Sequence, residues 1–505
     1  MMKSDYPEGS RLLFFTSFAA ITATSFCFVL RALVIDDWGV QFALSETQKG
    51  ELLGVGLWPF SITIVLMSLF IDRIGFRMTY WFAAVCHLVG LAVLLMAHGY
   101  WSLYAGTFIM ALGNGAVEAA ANPLIATVFS QDKPKWLNRV HAAWPGGMIL
   151  GGGLAMMLGS AHWQVKVALM AVPVITYAIM LIGRKFPVSE RVASGISYRT
   201  MLAEAGFISA LILTVLIMLE VGRVFNLSPI VSMGSAIALS AVYAFISRSP
   251  GRPLYILLVL LMIPQAMTEL STDSWISSLM SPEMAAIGLN AGWVLIYTSL
   301  IVFVIRIFAG NLIDRFKPLG VLAFASALAA AGLFLLSGST GGLLLAAATL
   351  YGIGKSFFWG TTLAVASEQF PKGGAVAINM LAGAGMLAAG ILGSVLLGTA
   401  QDHTTLAGVK TYDRVHGTVL TDQYMSVHRA SIFGAYLALD EQKMAKAVPA
   451  DQAVLQTLVA GSKKAALKDI ALLPLITLLI YLGLIIVFRR RGGYSPVILT
   501  RSTDT

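Results

Sequence analysis

The chain has 505 residues, of which 57% are hydrophobic and only 12% are charged, and its mean hydropathy is +0.80. Soluble proteins carry about 25% charged residues, so this composition excludes a soluble globular protein and predicts a multi-pass membrane protein. The net charge of +9 does not indicate a nucleic-acid partner, because the basic residues lie between apolar segments, where membrane topology accounts for them.

The apolar segments predict an all-α integral membrane protein. A membrane-spanning helix needs about 20 apolar residues, and the polar residues before the first apolar run favour an uncleaved first helix over a signal peptide. Length and hydropathy together predict about fourteen spans, near residues 12–34, 52–71, 79–97, 101–129, 140–160, 164–183, 203–221, 229–247, 254–278, 285–309, 319–337, 342–367, 374–398 and 470–488.

Lysine and arginine residues follow every second span and predict the orientation. Examples are Arg73 and Arg77 after span two, Lys133 and Arg139 after span four, and Arg489 after the last span. Because positively charged connections stay in the cytoplasm, we expect both termini to be cytoplasmic, in a plasma or inner membrane.

The same alternation places the one long polar segment, residues 400–468, on the outside. The sequence predicts amphipathic helices over 426–447 and 451–470. Long structured loops are often functional, so this segment is either a surface cap or a substrate-gating lid.

Three sequence features recur at an offset of about 240 residues. Asp72-Arg73 and Arg77 recur as Asp314-Arg315 and Lys317, and the glycine pairs of 113–115 and 146–151 recur at 352–354 and 385–390. Self-similarity at one offset indicates a structural repeat. We therefore predict two six-helix halves, 1–183 and 254–505, with a cytoplasmic linker and an inserted helix pair over 184–253.

Such parallel repeats are typical of the major facilitator fold, in which the substrate binds near the midplane between the halves. The repeated acidic and basic loops are candidate gating elements, because acids can cap helix N-termini and arginines can pair with acids of the adjacent bundle. The predicted gating residues are Asp72, Arg73, Arg77, Asp314 and Arg315.

The segment Gly113-x-Gly115-x-x-Glu118-x-Ala120-Ala121-Asn122-Pro123, followed by Leu137-Asn138, His141 and Gly147, resembles the fucose permease-like sugar:proton symporters. The resemblance covers about one tenth of the chain. It implies that Glu118 takes part in proton coupling and sugar binding, with Asn122 close by. Glu269-Leu270-Ser271 is similar to the family's acidic run in the first helix of the C-terminal half.

The chain departs from this family in three features. Its first span carries Arg31 and no acidic residue, an imidazole at His141 replaces an amide, and the helix pair at 203–247 is additional to the family's usual twelve helices.

In a major facilitator fold the first and fourth helices of each half line the cavity. Here these spans carry the charged residues Arg31, Glu118, Glu269, Asp273 and Lys355. Even one unpaired charge on each of the four spans, if it faced lipid, would together cost on the order of 10 kcal/mol, so we expect these residues to face a shared aqueous cavity. Glu118–Arg31 and Glu269–Lys355 are conceivable ion pairs.

These charged residues can also have purely structural roles. Glu118 can serve as a helix–helix hydrogen bond, Lys355 can snorkel, and Arg31 can lie at the outer headgroup level. Arg306 is expected to snorkel to the cytoplasmic face. Trp359, one turn after Lys355, is the preferred aromatic residue for packing on a sugar ring.

Asn290 joins the substrate-binding candidates as an amide within an apolar run. The sequence contains no phosphate-binding loop, metal-ligand cluster or nucleophile arrangement, so we predict neither an enzyme nor a metal protein. No cofactor is expected beyond a proton gradient.

The sequence therefore predicts a monomeric secondary transporter that works by alternating access and takes up a monosaccharide, or a similar small polar solute, with protons. One alternative is a 14-helix drug/proton antiporter that exports its substrate. Another is a non-transporting nutrient sensor, with residues 400–468 as a partner-binding domain.

Overall fold

The computed structural model describes residues 9–42, 44, 51–273, 276, 280, 284–286, 288, 292–340, 342–431, 434–440, 443–444 and 446–499. Within these residues the chain is almost entirely α-helical, as predicted. The first half and the inserted pair contain α1 (Ser10–Gln41), α2 (Trp58–Ile74), α3 (Phe76–Leu95), α4 (Tyr100–Val128), α5 (Lys133–His141), α6 (Ala143–Met157), α7 (Trp163–Ala168), α8 (Ala171–Leu181), α9 (Glu190–Ala193), α10 (Tyr198–Val224) and α11 (Pro229–Ser247).

The second half begins with α12 (Pro253–Ala266), which continues through the π-helical turn Met267–Ser271. The remaining elements are α13 (Gly292–Gly338), α14 (Gly342–Lys355), α15 (Phe358–Gln369), a 3₁₀ turn (Pro371–Gly373), α16 (Gly374–Leu387), a second π-helical turn (Ala388–Gly393), α17 (Ser394–His416), α18 (Leu420–Tyr424), β1 (Val427–Ser431), β2 (Gly434–Ala438), α19 (Pro449–Ile470) and α20 (Leu472–Arg490).

Twelve helical segments of the described chain are long and apolar enough to cross a membrane, by length and composition. Two features explain the difference from the fourteen predicted spans. Spans 285–309 and 319–337 are joined in α13, which kinks at Lys317 immediately before Pro318. Span 140–160 corresponds to α6, which has only 15 residues. The predicted major facilitator architecture accommodates both.

The start of α1 and the end of α20 lie at the same end of the bundle. Phe14 packs edge-on against Trp136, with 5.3 Å between the ring centroids. Lys133 donates to the backbone carbonyl of Ser367 at 3.4 Å. The next residue, Glu368, accepts a hydrogen bond from Tyr494 at 2.6 Å. We call this end the terminal face; it is the one that the sequence predicts to be cytoplasmic.

The inserted helices α10 and α11 begin at serine caps and pack on each other. The hydroxyls of Ser197 and Ser228 accept backbone N–H groups of the first turns, which satisfies donors that would otherwise be unpaired. Leu213 of α10 belongs to one apolar cluster with Phe60 of α2 and Met380 of α16. The pair therefore lies beside both halves, at the seam between α2 and α16.

The long polar segment 400–468 corrects one predicted helix. The helix expected over 426–447 is instead a two-stranded antiparallel hairpin, in which Val427 pairs with Ala438 and Ser431 with Gly434. β-Branched and aromatic residues such as Val427 and Tyr436 fit a pleated surface better than a helix. The helix predicted over 451–470 is confirmed by α19, and the hydroxyls of Thr405 and Ser462 lie 2.8 Å apart where α17 meets it.

The second half depends on a close crossing of α13 and α14. A β-carbon at Gly332 would overlap the backbone nitrogen and Cα of Tyr351, whereas one at Gly338, in the same helix, would meet no atom within 4 Å. Backbone atoms cannot yield as the end of a flexible side chain can, so the two helix axes would have to separate.

We expect Gly332→Ala to destabilise the purified protein by about 1–3 kcal/mol, the usual scale of overpacking, and therefore to lower its apparent melting temperature. Gly338→Ala is the matched control and should leave the melting temperature unchanged or slightly raised, because alanine favours the helix. Equal melting temperatures for the two variants would contradict the close crossing.

Candidate functional site

Glu118 lies in the interior of the first half because small residues let neighbouring helices approach α4. A β-carbon at Gly115 would overlap the carbonyl oxygen of Phe60 in α2. Only 3% of Glu118 is exposed. One turn later, Asn122 donates from Nδ2 to Oε2 of Glu118 at 3.0 Å, so the two residues singled out by the sequence are in direct contact.

Pro123 opens the backbone of α4 next to this pair. Proline has no N–H, so the carbonyl of Ala119, four residues earlier, loses its helical donor. Asn379 of α16 donates from Nδ2 to this carbonyl at 2.9 Å. An irregularity in the first half thus receives its hydrogen bond from the second half.

His141, at the end of α5, completes the surroundings of Glu118. Its Nε2 lies 2.8 Å from Oδ1 of Asn122, and its Nδ1 lies 3.9 Å from Oε1 of Glu118. Because Asn122 uses its amide N–H for Glu118, we assign the proton of a neutral His141 to Nε2, which leaves Nδ1 facing the carboxyl group.

The conceivable pair Glu118–Arg31 is wrong. Among the residues that the structure describes, no lysine or arginine forms an ion pair with Glu118, whose hydrogen-bond partner is the neutral amide of Asn122. The sequence identified His141 only as a replacement for an amide, and its place in the segment that resembles the symporter family was the available signal.

Arg306 joins the two halves instead of snorkelling to a surface. It is 2% exposed and donates from Nη2 to Oε1 of Glu269 at 2.5 Å, from Nη1 to the carbonyl of His141 at 3.1 Å, and from Nε to the carbonyl of Ser356 at 2.9 Å. The expectation failed because α13 continues past the predicted end of the span. Arg306 therefore lies about 16 Å of helix before the kink at Lys317.

Lys355 pairs with Asp273 and not with Glu269, which corrects the second conceivable pair. The lysine is only 1% exposed, and its Nζ lies 4.9 Å from the ring centroid of Tyr351. The helix breaks immediately after Lys355, between α14 and α15. Both carboxylates of the first C-terminal helix are thus paired with cations of their own half.

A small cavity lies between the halves in this conformation. Four of its lining residues come from each half, and they are Phe28, Leu57, Trp144 and Met148, with Leu270, Asp273, Met386 and Ala389. Of the sequence-predicted site residues, Asp273 lines this cavity. Trp144, which is not among the predicted site residues, lines it as well.

Trp359 and Arg31 are not among the residues that line this cavity. Trp359 is buried with its ring 6.4 Å from that of His141, next to Gly385 of α16. The guanidinium of Arg31 lies against the backbone of Gly56 and 6.0 Å from the ring centroid of Phe28. Asn290 lies outside the described residues.

The terminal face is tied together by a linker that contains α9. Asp72 accepts hydrogen bonds from Ser189 at 2.7 Å and from Nε of Arg191 at 2.8 Å, while Lys133 donates to Glu190 at 2.7 Å. Arg191 also lies next to Gly374, at the start of α16. Asp72 is therefore linked to both halves.

The other predicted gating residues have different surroundings. Arg73 lies 5.8 Å from the ring centroid of Tyr198, and Arg77, Asp314 and Arg315 are exposed. Direct contacts between the halves on this side include Asn138 with Thr361 at 3.0 Å and Arg139 with the carbonyl of Ile307 at 3.1 Å.

Solved structures with this fold include several transporters. The proton:xylose symporter XylE, bound to 6-bromo-6-deoxy-D-glucose, matches with a TM-score of 0.56 and 15% identity over 81% of this chain and 90% of its own. The Escherichia coli fucose:proton symporter FucP matches with a TM-score of 0.53 and 15% identity over 91% of this chain and 99% of its own. The human organic anion transporter MFSD10 matches with a TM-score of 0.61 and 12% identity over 94% of this chain and 100% of its own. At such identities the likeness establishes the fold.

No curated protein sequence matches the chain. The family model of the Major Facilitator Superfamily, however, matches residues 12–394. This match covers most of the chain and confirms the predicted superfamily. The chain is a multi-pass membrane protein that belongs to the Major Facilitator Superfamily of transporters.

Proposed function

We propose that this protein takes up a monosaccharide, or a similar small polar solute, together with protons by alternating access. In this proposal the terminal face is cytoplasmic, the proton gradient is the energy source and the protein acts as a monomer. The observation that carries the proposal is the buried Glu118, which has neutral partners and lies in the half-bundle that forms one wall of the cavity.

Glu118 has the properties of a proton-loading site. An ionised carboxylate in the membrane interior costs about 2.5–3.5 kcal/mol or more, and no cation among the described residues pairs with it. Protonation removes that charge. Asn122 donates to Oε2 of Glu118. The unprotonated Nδ1 of a neutral His141, 3.9 Å from Oε1, faces the carboxyl group as an acceptor, so it suits the protonated form of Glu118.

The proton site is connected to the second half through His141 and Arg306. The imidazole of His141 faces Glu118, and its backbone carbonyl accepts from Arg306, which is paired with Glu269. A change at Glu118 thus acts on a residue at the interface between the halves. In the proposed cycle, proton loading favours substrate binding and reorientation, and release of the proton to the cytoplasm resets the carrier.

The cavity offers surfaces suited to a sugar. Trp144 provides an aromatic ring for an apolar sugar face, and the carboxylate of Asp273, which is paired with Lys355, lines the same cavity. Two proteins of similar structure are described as a xylose and a fucose symporter with protons, which supports the substrate class.

The export of cationic drugs gains no support from the charge arrangement. Such a cavity needs free carboxylates, whereas Glu269 and Asp273 are already engaged by Arg306 and Lys355. No contact of residues 400–468 in the described part of the chain favours a sensor over a transporter.

Replacing Glu118 tests the coupling. In proteoliposomes with an imposed inward proton gradient and a panel of labelled neutral and acidic sugars, the wild-type protein should concentrate its substrate. Glu118→Gln keeps the shape but cannot take up a proton, so it should lose at least about 90% of the gradient-driven accumulation, the tenfold loss that corresponds to ~1.4 kcal/mol.

The matched control is Glu204→Gln, because Glu204 is also buried but pairs with Arg252 outside the cavity. This variant should accumulate substrate like the wild-type protein. The proposal of proton coupling fails if Glu118→Gln concentrates substrate against its gradient as well as the control does.

Replacing Asp72 tests the closure of the terminal face. Asp72→Asn removes the charge that holds Arg191, and we expect labelling of an introduced Ser367→Cys by a maleimide to become about tenfold faster, because a hydrogen bond to a charged group contributes ~1.5 kcal/mol or more. Both native cysteines would be replaced by alanine.

Asp314→Asn is the control for this experiment, because Asp314 occupies the repeated position in the second half but is exposed. It should leave the labelling rate unchanged. Equal labelling rates in the two variants would show that the Asp72 cluster does not hold this face closed.

A further inference from the structure

Arg31 is a buried cation without an anionic partner among the residues that the structure describes. Arg31 is 4% exposed, and its Nε has no hydrogen-bond partner. Asp37 is the nearest acidic residue along the chain whose side chain is described, and its carboxylate lies 3.5 Å from Nζ of Lys166. Other interior cations are satisfied: Arg306 pairs with Glu269, and Lys355 pairs with Asp273.

The position of Arg31 places this charge beside the cavity. Its guanidinium lies against the backbone of Gly56 and 6.0 Å from the ring centroid of Phe28. Phe28 and the next residue after Gly56, Leu57, both line the cavity. The guanidinium is therefore a neighbour of one lining residue, Phe28, and lies beside the residue that precedes another, Leu57.

Among the described interior charges discussed above, the two signs balance only while Glu118 is ionised. Arg31, Arg306 and Lys355 are then matched in number by three carboxylates, which are Glu118, Glu269 and Asp273. A proton on Glu118 leaves one positive charge in excess. Arginine does not lose its proton in proteins, so the excess stays on Arg31 unless an anion enters with the proton.

We propose that the transported solute is a sugar acid, an aldonate or a uronate, and that Arg31 binds its carboxylate. This inference rests on the proposed proton-coupled uptake and specifies its substrate class. The planar guanidinium fits a carboxylate with two parallel hydrogen bonds. Asp273 does not repel such a ligand strongly, because Lys355 neutralises it, and the hydroxyl groups of the sugar occupy the cavity near Trp144.

The test measures binding through the quenching of tryptophan fluorescence in detergent. The probes are D-glucuronate and D-gluconate, with D-glucose and D-glucitol as neutral counterparts of matched size. We expect saturable binding of at least one acid by the wild-type protein, at least about tenfold tighter than that of its neutral counterpart. Arg31→Gln should weaken the binding of that acid about tenfold or more, the scale of one lost charged hydrogen bond.

Two further variants separate a specific contact from a general charge effect. Arg31→Lys keeps the charge but not the paired donors, and it should recover only part of the affinity. Lys166→Gln removes a cation that is paired with Asp37 away from the cavity, and it should leave the affinity for the acid unchanged.

The melting temperature of the ligand-free protein tests whether Arg31 has a purely structural role. Removing an uncompensated buried charge should stabilise the empty protein, so Arg31→Gln should melt about 2 °C higher or more than the wild-type protein. A lower melting temperature would show that Arg31 holds the fold, and it would overturn the inference.

The inference is also overturned if neither acid binds, if the neutral counterparts bind as tightly as the acids, or if Arg31→Gln binds the acids unchanged. Proton-driven accumulation of a neutral sugar by the wild-type protein would in that case leave the proposed function intact. Conversely, acid binding that depends on Arg31, without any proton-driven accumulation, would retain the binding site and refute the proton coupling.

Discussion

The guanidinium of Arg306 is the contact on which the arrangement of the interior depends. Its three donors reach a carboxylate of α12, a carbonyl at the end of α14 and a carbonyl at the end of α5. A planar group with fixed donor directions holds three helices at defined angles. Because one of these helices belongs to the first half, the same contact orients His141, and His141 in turn faces Glu118. The surroundings of the proposed proton site are therefore set by a residue of the opposite half.

The architecture followed closely from the sequence because hydropathy and the repeat are large, redundant signals. About fourteen spans, the inserted pair and the superfamily were all predicted, and the differences in the helices come from local backbone features such as the kink at Lys317. The hairpin at 427–438 was missed because a short segment of mixed polarity has no strong hydrophobic period. Whether such a segment forms strands depends on the packing of its side chains against neighbouring residues, which the sequence pattern does not show.

The site was predicted in its members but not in its contacts. Glu118 and Asn122 are four residues apart on one helix, so their hydrogen bond follows from helical spacing. The partners of Glu269 and Lys355 are set by how α12, α13 and α14 pack. Neither of the two ion pairs considered from the sequence, Glu118–Arg31 and Glu269–Lys355, is present. Arg306 was assigned to a surface because the end of a span was placed too early, and an error of a few residues decides whether a charge is at an interface or in the interior.

The hydrogen bond from Asn379 to the carbonyl of Ala119 sets a condition on the opposite conformation of the transporter. Pro123 leaves that carbonyl without a helical donor, and in the present state α16 supplies one. In the proposed alternating-access cycle, the halves rock apart at this level, the bond breaks, and the α4 backbone exposes an acceptor that lipid cannot satisfy. Water must then reach the depth of Ala119, one residue from Glu118. In the proposed cycle, the same wetting that stabilises the opened backbone would also provide the route by which a proton leaves the carboxyl group.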